Sequence, residues 1–308
     1  LAEPRLVELL DLVALGTVAD VVPLDRLNRT LVDLGLKRMR QGRACAGIRA
    51  LLQIAGKDLD RLSAQDLGFA IAPRLNAAGR MEDMGLGIDT LLTDNFVMAQ
   101  QAAQLLDQIN LERRSVEQGM QLEALAMLEK LQLNETSQAA AYCLYEESWH
   151  QGVIGLLASR IKEKLHRPVI VFAPGEPGEI KGSARSITGV HIRDVLANVA
   201  AKYHDLILRF GGHAMAAGLT LKQNDFSLFE QAFREAVELA ADPTVFKRAL
   251  YSDGELSVQE LNMHLAEQLP VLAPWGQAFP EPQFHGQFVL QNYRHVGQQS
   301  DHLRLTIK

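Results

Sequence analysis

Apolar residues recur at helical spacing through the first third of the chain. Steps of three and four residues between apolar positions are typical of helices with one buried face. Residues 1–93 are therefore predicted to be mostly helical and compact. The positions that carry this prediction are Leu6, Leu9, Leu10, Val13, Leu31, Leu34 and Leu36.

The next pattern runs from residue 94 to 131, where no proline occurs and Gly119 is the single glycine. One helix is predicted here, roughly 55 Å long at 1.5 Å per residue, capped by Asp94 or Asn95. That length suits a connector between domains, and the polar residues 134–138 mark its end. Its apolar stripe is Phe96, Ala99, Ala103, Leu106, Ile109, Val116, Met120, Ala124, Leu125 and Leu128.

Strand-like and helix-like segments alternate in the middle of the chain. A strand at 139–145, a helix at 153–166 and a continuously apolar strand at 168–173 form the pattern of a β-α-β unit in a covered sheet. The fold class is therefore predicted to be α/β. The further expected elements are a strand at 181–187, a helix at 191–203, a strand at 217–221 and a helix at 226–241.

Beyond residue 245 the pattern changes to that of a small β-barrel. A short helix is predicted near 258–269, and two strands at 284–293 and 302–307 flank the polar turn GQQS. The barrel is expected to be incomplete. Since the chain also starts without methionine and in the middle of a helical pattern, both ends look cut.

Composition limits the class of protein. A chain of 308 residues with 47% apolar residues can bury the cores of two or three domains. Its longest apolar runs are too short to cross a bilayer and it has no signal-peptide pattern, so a cytoplasmic protein without membrane contact is expected. Cys45 and Cys143 are predicted to be reduced, buried thiols rather than ligands of a metal centre.

Charge and aromatic content narrow the expected binding surface. The formal charge of -6 disfavours a broad polyanion-binding face, yet residues 160–209 contain nine Lys/Arg against five Asp/Glu, so positive potential is local. Aromatic residues make up 6%, which argues against an extended stacking platform. Trp149, Tyr203 and Phe210 are candidates for isolated stacking contacts, although core packing is the more frequent role.

The sequence GGHAMAAG at 211–218 is the first candidate for chemistry. Gly211 and Gly212 permit positive φ, so successive amides could face one oxyanion, with His213 as a further donor. A turn with a packed imidazole is the alternative.

Asp20 is the second candidate, because it interrupts the apolar sequence LVALGTVADVVPL, where a buried carboxylate requires a partner. It is either a helix cap or acceptor of buried amides, or a ligand for Mg²⁺ or Mn²⁺.

Two further segments carry arginines. Arg74, Asn76 and Arg80 lie in APRLNAAGRMED, interpreted as a small-residue loop that clamps a phosphate, or as a surface turn whose arginines pair with Glu82 and Asp83.

Ser183 and Arg185 are two residues apart on a predicted strand and so share one face, which makes either an oxyanion pocket or an ordinary polar surface. His150 precedes a predicted helix N-terminus, where it either helps to bind an anion or simply caps the helix.

Taken together and in this order, GTVADVVPL, APRLNAAGRMEDM, WHQGVIGLLASRI, GSARSI and GGHAMAAG resemble the RecJ family of the DHH phosphoesterase superfamily. The resemblance covers nearly the whole chain. It implies a single-stranded-DNA-specific 5′ to 3′ exonuclease that acts in recombination and repair and hydrolyses phosphodiesters with two metal ions.

The resemblance also implies roles for residues. Two Mn²⁺ or Mg²⁺ ions would be bound in the complete protein, with Asp20 as one ligand; the family's Asp-x-Asp and DHH motifs do not occur in this sequence, so the isolated chain is expected not to cut DNA. Arg80 and Asn76 would face the scissile phosphate or the metals. Ser183 and Arg185 would surround a terminal 5′ phosphate, and His213 would approach the reacting phosphodiester. The other residues implied to bind phosphate are Arg74, His150, Gly211 and Gly212.

The implied organisation has four parts: the end of a DHH catalytic domain at 1–93, a connector helix at 94–133, an α/β DHHA1 domain at 134–244 and the start of an OB-like domain at 245–308. The expected partner is single-stranded DNA with a 5′ end, with a helicase and a single-strand-binding protein as further candidates, and a monomer is expected. Two alternatives stay open: a DHH-type phosphodiesterase of short oligonucleotides or cyclic dinucleotides, which the continuation toward a barrel disfavours, and a non-catalytic nucleic-acid-binding module.

Overall fold

The computed structural model describes residues 5–132, 139–297 and 302–308. The described residues form two compact units. Unit 1 combines those of Leu1–Ala44, Lys57–Ala70 and Leu250–Lys308, and unit 2 combines those of Cys45–Gly56 and Ile71–Ala249. The predicted boundary at 134–138 and most of the GQQS turn lie outside the described residues.

Helices make up most of the chain before residue 93, as predicted. Two short 3₁₀-helices, Leu6–Leu9 and Leu59–Arg61, accompany them. The helices are α1 (Leu10–Ala19), α2 (Arg26–Arg40), α3 (Ala46–Ile54), α4 (Ala64–Asp66), a π-helical segment at Leu67–Ile71, α5 (Ala72–Met81) and α6 (Gly85–Leu92).

The buried face of the first helices differs from the predicted one. Leu6, Leu9 and Val13 are exposed, as is Leu34 on α2, whereas Ala14 and Leu15 are buried. Helix α1 is apolar on almost every side, so the spacing of its apolar residues could not identify the face that packs against α2.

A five-stranded sheet forms the centre of unit 2. Its order is β1-β2-β3-β5-β4, with β1 and β2 parallel and the other pairs antiparallel. Helix α8 connects β1 to β2, which confirms the β-α-β unit and the α/β class. The elements are α7 (Phe96–Gln132), β1 (Tyr142–Tyr145), α8 (Ile154–Leu165), β2 (Val169–Pro174), β3 (Glu179–Arg185), α9 (Ile192–Lys202), β4 (Arg209–Gly212), β5 (Ala216–Lys222) and α10 (Phe226–Ala240).

Helices pack on both faces of this sheet. Phe172 and alternate strand residues pack against α9 and α10, where Phe229 and Phe233 are fully buried. Leu144 and Val171 face the other way and pack against α8 and the second half of α7. Ser183 lies opposite Val171 and Arg185 opposite Val169, so both side chains are on the α8 face.

The long helix α7 is continuous, as predicted, and Asn95 caps it: its Oδ1 accepts from the amides of Val97 and Met98 at 3.0 and 3.3 Å. Three consecutive positions of its buried seam are polar, however. Asn110, Arg113 and Glu117 are buried where Ile109 and Val116, which are only half-buried, were expected. Arg113 donates to Glu117 at 2.8 Å and to Asn110 at 3.1 Å, which stabilises the buried charge.

The C-terminal part of unit 1 has less regular structure. Helix α11 (Met263–Leu272) begins later than the helix predicted at 258–269, because Asn262 caps its first turn. An antiparallel hairpin follows, formed by β6 (Leu290–Val296) and β7 (His302–Ile307), and β6 likewise begins later than the predicted 284. In the part of the chain that the structure describes, no helix is long and apolar enough to cross a membrane.

Candidate phosphate-binding site

The segment that carries Arg74, Asn76 and Arg80 is helix α5, not the predicted loop. Pro73 occupies the start of the helix, where a missing amide costs nothing, and the small residues that follow continue it. Asn76 and Arg80 are four residues apart and therefore lie on one face. Asn76 is half-buried, and Arg80 is exposed at the last turn.

Arg74 is held by the long helix. Its Nη2 and Nε lie 2.8 and 2.9 Å from Asp107 Oδ1 on α7, so the predicted pairing with Glu82 or Asp83 is not found. Because both atoms contact one carboxylate, the geometry favours a link between α5 and α7 over a free phosphate ligand.

Ser183 and Arg185 are in direct contact on β3. Arg185 Nη1 donates to Ser183 Oγ at 3.1 Å and to the carbonyl of Ala184 at 2.8 Å. The predicted shared face is thus present, and the guanidinium is held by hydrogen bonds before any ligand binds.

The N-terminus of α8 adjoins this pair through Gly155. A Cβ at Gly155 would lie 2.9 Å from Arg185 Nη2 and 3.1 Å from Ser183 Oγ, so a larger residue here would displace the guanidinium. Val153 at the N-cap provides no side-chain cap. The positive end of the helix therefore lies beside a hydroxyl and a guanidinium, all of which favour an anion.

Arg80 brings a second positive charge close to Arg185. Burial lowers the pKa of Arg185, and the nearby charge of Arg80 lowers it further. The carbonyl of Arg80 lies against Gly152 in the loop before α8. The end of α5, this loop and β3 thus meet, and an anion bound between the arginines would relieve their repulsion.

The loop before α8 is fixed by its first two residues. Trp149 is buried, and its Nε1 donates to Glu123 on α7 at 2.8 Å, so its role is core packing rather than base stacking. His150 is exposed, and its Nδ1 accepts from the amide of Gly152 at 3.1 Å. This bond lies within the loop and does not cap α8, whose N-cap is Val153, and it leaves Nε2–H directed away from the bonded amide.

The GGHAMAAG segment is a hairpin between β4 and β5, and no strand was predicted at β4. Gly212 has a φ of +150°, as its predicted freedom allows, but the amide of His213 donates to the carbonyl of Ala216 at 2.8 Å. That amide closes the hairpin, so His213 could act as the further predicted donor only through its imidazole. Its imidazole is exposed.

A groove missed in the sequence continues from Ser183 across the sheet. Ser183 lies opposite Gly218, which lies opposite Gly211, so this row has no side chains beyond the serine. Lys181 and Arg209 lie in the neighbouring row with Thr220 between them. An open groove of about 640 Å³ is lined by Lys181, Arg209, Gly211, Gly218 and Thr220, together with Glu176, Phe210 and Leu219. Lys181 could have been found, because it alternates with Ser183 and Arg185 along one strand.

Asp20 is in unit 1 and differs from its predicted description. It follows the last residue of α1 and is exposed, and its carboxylate has no hydrogen bond or ion pair among the described residues. The expected roles of its side chain as a helix cap or as an acceptor of buried amides are not found among the described residues, because Asp20 lies at the C-terminus of α1, where the helix dipole disfavours a carboxylate; its role as a metal ligand stays a prediction. The buried acid of this helix is Asp11, whose Oδ1 accepts from the amide of Leu12 at 3.0 Å.

The residue after Asp20 has unusual backbone geometry. Val21 has a φ of +55°, a conformation that costs a β-branched residue about 1–2 kcal/mol. An accessible carboxylate suits a hard cation, but within residues 5–132, 139–297 and 302–308 no group of three or more His, Cys, Asp or Glu could hold a metal ion. Cys143 is buried, which raises the pKa of its thiol well above the usual value, whereas Cys45 is half-buried.

Comparison with known protein families gives two matches. Residues 136–242 match the DHHA1 domain, and residues 252–308 match the RecJ OB domain. The whole chain is 51% identical to the single-stranded-DNA-specific exonuclease RecJ of Escherichia coli (strain K12) and covers 53% of that protein. The chain thus spans about half the length of the curated relatives it matches.

Two solved structures of RecJ proteins also match this chain. The crystal structure of RecJ in complex with Mg²⁺ from Thermus thermophilus matches 99% of this chain at 33% identity with a TM-score of 0.80, and the match covers 46% of that structure. The corresponding Mn²⁺ complex matches 99% of this chain at 33% identity with a TM-score of 0.79, over 43% of that structure.

Proposed function

The chain belongs to the RecJ family, and on that premise we propose that it is the recognition part of a single-stranded-DNA-specific 5′ to 3′ exonuclease. The relatives that it matches are named single-stranded-DNA-specific exonucleases. The complete protein would hydrolyse the phosphodiester nearest a 5′ end during DNA recombination and repair.

The observation that carries this proposal is the meeting of Ser183, Arg185 and the N-terminus of α8 beside Arg80. A hydroxyl, a two-pronged guanidinium and uncapped helix amides suit the dianionic phosphate at a strand end better than the monoanionic phosphate within a strand. We assign the terminal 5′ phosphate to Ser183 and Arg185, with His150 Nε2–H as a further donor.

The neighbouring phosphodiester is assigned to α5 and the β4–β5 hairpin. Asn76 and Arg80 share a face of α5 and would contact the scissile phosphate, with His213 approaching it at the hairpin tip. Gly211 and Gly212 would let the strand approach the sheet closely. Arg74 would act indirectly, since it is bound to Asp107.

The metal chemistry needs more than this chain. Asp20 presents one accessible carboxylate, which fits a ligand of Mn²⁺ or Mg²⁺, and structures of related proteins were determined with these ions. Two such ions would activate water and stabilise the leaving oxygen. We propose that the remaining ligands belong to the half of the relatives' sequence that this chain does not span, so the chain alone binds DNA without cutting it.

The remaining assignments follow the same proposal. Residues 1–93 would end the DHH catalytic domain, 94–133 connect it to the DHHA1 domain at 134–244, and 245–308 begin an OB-like domain. We expect a monomer, because one site binds one strand end, and we expect it to act in the cytoplasm. A helicase or a single-strand-binding protein would be a natural partner, since duplex DNA must be opened before a single strand is available.

The test is binding of this chain to matched single strands that carry either a 5′ phosphate or a 5′ hydroxyl, measured by fluorescence anisotropy with a duplex control. We expect tighter binding of the phosphorylated strand. Arg185→Ala should reduce that preference about 10- to 150-fold, which corresponds to the loss of a hydrogen bond to a charged group of about 1.5–3 kcal/mol.

Arg193 supplies the matched control, because it is exposed on α9, outside the site. Arg193→Ala should leave the preference unchanged. Equal weakening for both strands by Arg185→Ala would refute the pocket assignment, and no preference in the parent chain would refute recognition of the 5′ end. Circular dichroism of each variant separates lost binding from lost folding.

The phosphodiesterase of short oligonucleotides is the weaker alternative. The match of residues 252–308 to an OB domain supports a longer single-stranded ligand, since OB folds bind extended oligonucleotides. Dinucleotides that compete with long strands at equal concentration would favour the alternative.

A further inference from the structure

Helix α7 presents carboxylates to two of the elements that form the candidate phosphate-binding site. Asp107 Oδ1 lies 2.8 Å from Arg74 Nη2 on α5. Glu123 Oε2 accepts from Trp149 Nε1, in the loop before α8, at 2.8 Å. Glu117 lies between these two acids along the helix. The long helix is therefore bonded to the site both before and after Glu117.

Glu117 is the buried acid of this series, with a side chain that is 11% exposed. Its Oε2 accepts from Arg113 Nη1 at 2.8 Å, and its Oε1 accepts from Arg160 Nε at 3.4 Å. Arg113 is one turn earlier on α7, whereas Arg160 is in the second turn of α8. The first turn of α8 contains Gly155, which lies against Arg185. One carboxylate thus bonds the middle of α7 to the helix whose N-terminus adjoins the site.

Arg113 brings a positive charge of α7 close to Arg80. Burial lowers the pKa of the Arg113 guanidinium, and the charge of Glu117 raises it. The neighbouring charges of Arg114 and Arg80 lower it further. The negative charge of Glu117 therefore offsets the repulsion between the buried guanidinium and the arginine at the last turn of α5.

Stability alone does not account for this buried network. Asn110 Nδ2 and Arg113 Nε are buried and form no hydrogen bond with any described residue, and an open buried donor is costly. Apolar residues of similar volume often stabilise a protein interior as well as a buried ion pair does. What the ion pair provides in addition is a fixed geometry, because its hydrogen bonds are directional.

We propose that Glu117 is a positioning residue for recognition of the 5′ phosphate. Its bond to Arg160 fixes the N-terminal turns of α8 against α7, and its charge holds Arg113 near Arg80. Glu117 thereby sets the separation between Arg80 and Arg185 without touching the ligand. The inference rests on the proposed function for the identity of that ligand.

The test compares binding of 5′-phosphorylated and 5′-hydroxyl single strands to this chain and its variants by fluorescence anisotropy. Glu117→Gln should reduce the preference for the phosphorylated strand about 3- to 30-fold, the range for a residue that acts without contacting the ligand. The affinity for the hydroxyl strand should stay at the parent value. Glu112→Gln is the matched control, because Glu112 is exposed on the same helix, and it should keep the parent preference.

Arg113→Met/Glu117→Gln separates positioning from stability, and it also decides the question if Glu117→Gln alone does not fold. This variant removes both buried charges, so its midpoint of urea unfolding should return toward the parent value. The reduced preference should persist, because an amide does not replace the carboxylate at Arg160.

Recovery of the preference together with the unfolding midpoint would overturn the proposal, because the network would then be structural only. An unchanged preference in Glu117→Gln, or equal weakening of both strands, would also overturn it. Absence of any preference in the parent chain would instead refute the proposed function, and this inference would fall with it.

Discussion

The candidate phosphate-binding site of unit 2 and the region around Asp20 in unit 1 differ in how firmly their functional side chains are held. Arg185 is held by Ser183, by a backbone carbonyl and by the close approach of Gly155. Asp20 is exposed, and its carboxylate forms no hydrogen bond or ion pair with any of the described residues.

This difference shows which candidate groups the fold already holds in position. A site assembled from α5, α8 and β3 inherits its geometry from packing, so substitutions in the supporting core should alter it. The position of a lone exposed carboxylate depends only on the local backbone. Distant substitutions should therefore not change that position. The following changes test that contrast from the largest expected effect to the smallest.

Trp149→Ala should lower the free energy of unfolding by about 3–5 kcal/mol, because it empties a buried site and removes the hydrogen bond to Glu123. Urea unfolding followed by circular dichroism measures the loss. Phe69→Ala is the control, because Phe69 is 78% exposed; its loss should be under about 1 kcal/mol. Similar losses for both variants would remove the contrast between a packed and an unpacked aromatic residue.

Glu117→Gln should cost about 1–3 kcal/mol of folding free energy, since it leaves the buried guanidinium of Arg113 without its counterion. Adding Arg113→Met should recover part of the loss, because a buried pair can be replaced by apolar groups at little cost. Denaturant unfolding of the two single variants and the double variant gives the coupling. Additive losses would mean that the two residues act independently.

Gly155→Ala should reduce the preference for a 5′ phosphate about tenfold, equivalent to about 1.4 kcal/mol. The new methyl group would press on Arg185 Nη2 and Ser183 Oγ and shift the guanidinium. Anisotropy with phosphorylated and hydroxyl strands measures the effect. Gly119→Ala is the control, since nothing lies within 4 Å of its Cβ position; an equal effect there would show that the loss is not specific to the site.

Asp20→Asn should change stability least, with a gain of about 0.3 kcal/mol, because it removes a negative charge from the C-terminus of α1. The 5′-phosphate preference should stay at the parent value. Thermal unfolding and anisotropy check both. A loss above about 1 kcal/mol would mean that the carboxylate already has a stabilising partner.

The sheet and the long helix could be predicted from sequence because their signals are local. The apolar strand at β2 and the helical spacing of α7 depend on neighbouring residues only. The strand β4 could not, because Gly211 and Gly212 have low strand propensity and pair only through the register with β5. The polar seam of Asn110, Arg113 and Glu117 was missed because the flanking Ile109 and Val116 also have helical spacing.

Within the candidate site, the spacing of residues along one element predicted which side chains share a face. The sequence did not predict which residues of different elements come into contact. The shared face of Ser183 and Arg185 followed from alternation on a strand. The partner of Arg74, which is Asp107, lies on another helix and was not predictable from the neighbouring acids. The polar character of Asp20 in an apolar sequence suggested burial, but α1 ends there and the residue is exposed.

The length of α7 has a consequence for which insertions the chain can accept. The first half of this helix packs against α3, α5 and α6, and its second half against α8. One residue added between Leu106 and Met120 would rotate one half against the other by about 100° and separate Arg80 from Arg185. Seven added residues would nearly restore the angle but move the halves about 10 Å apart. Related chains should therefore vary in sequence along this helix while keeping its residue count.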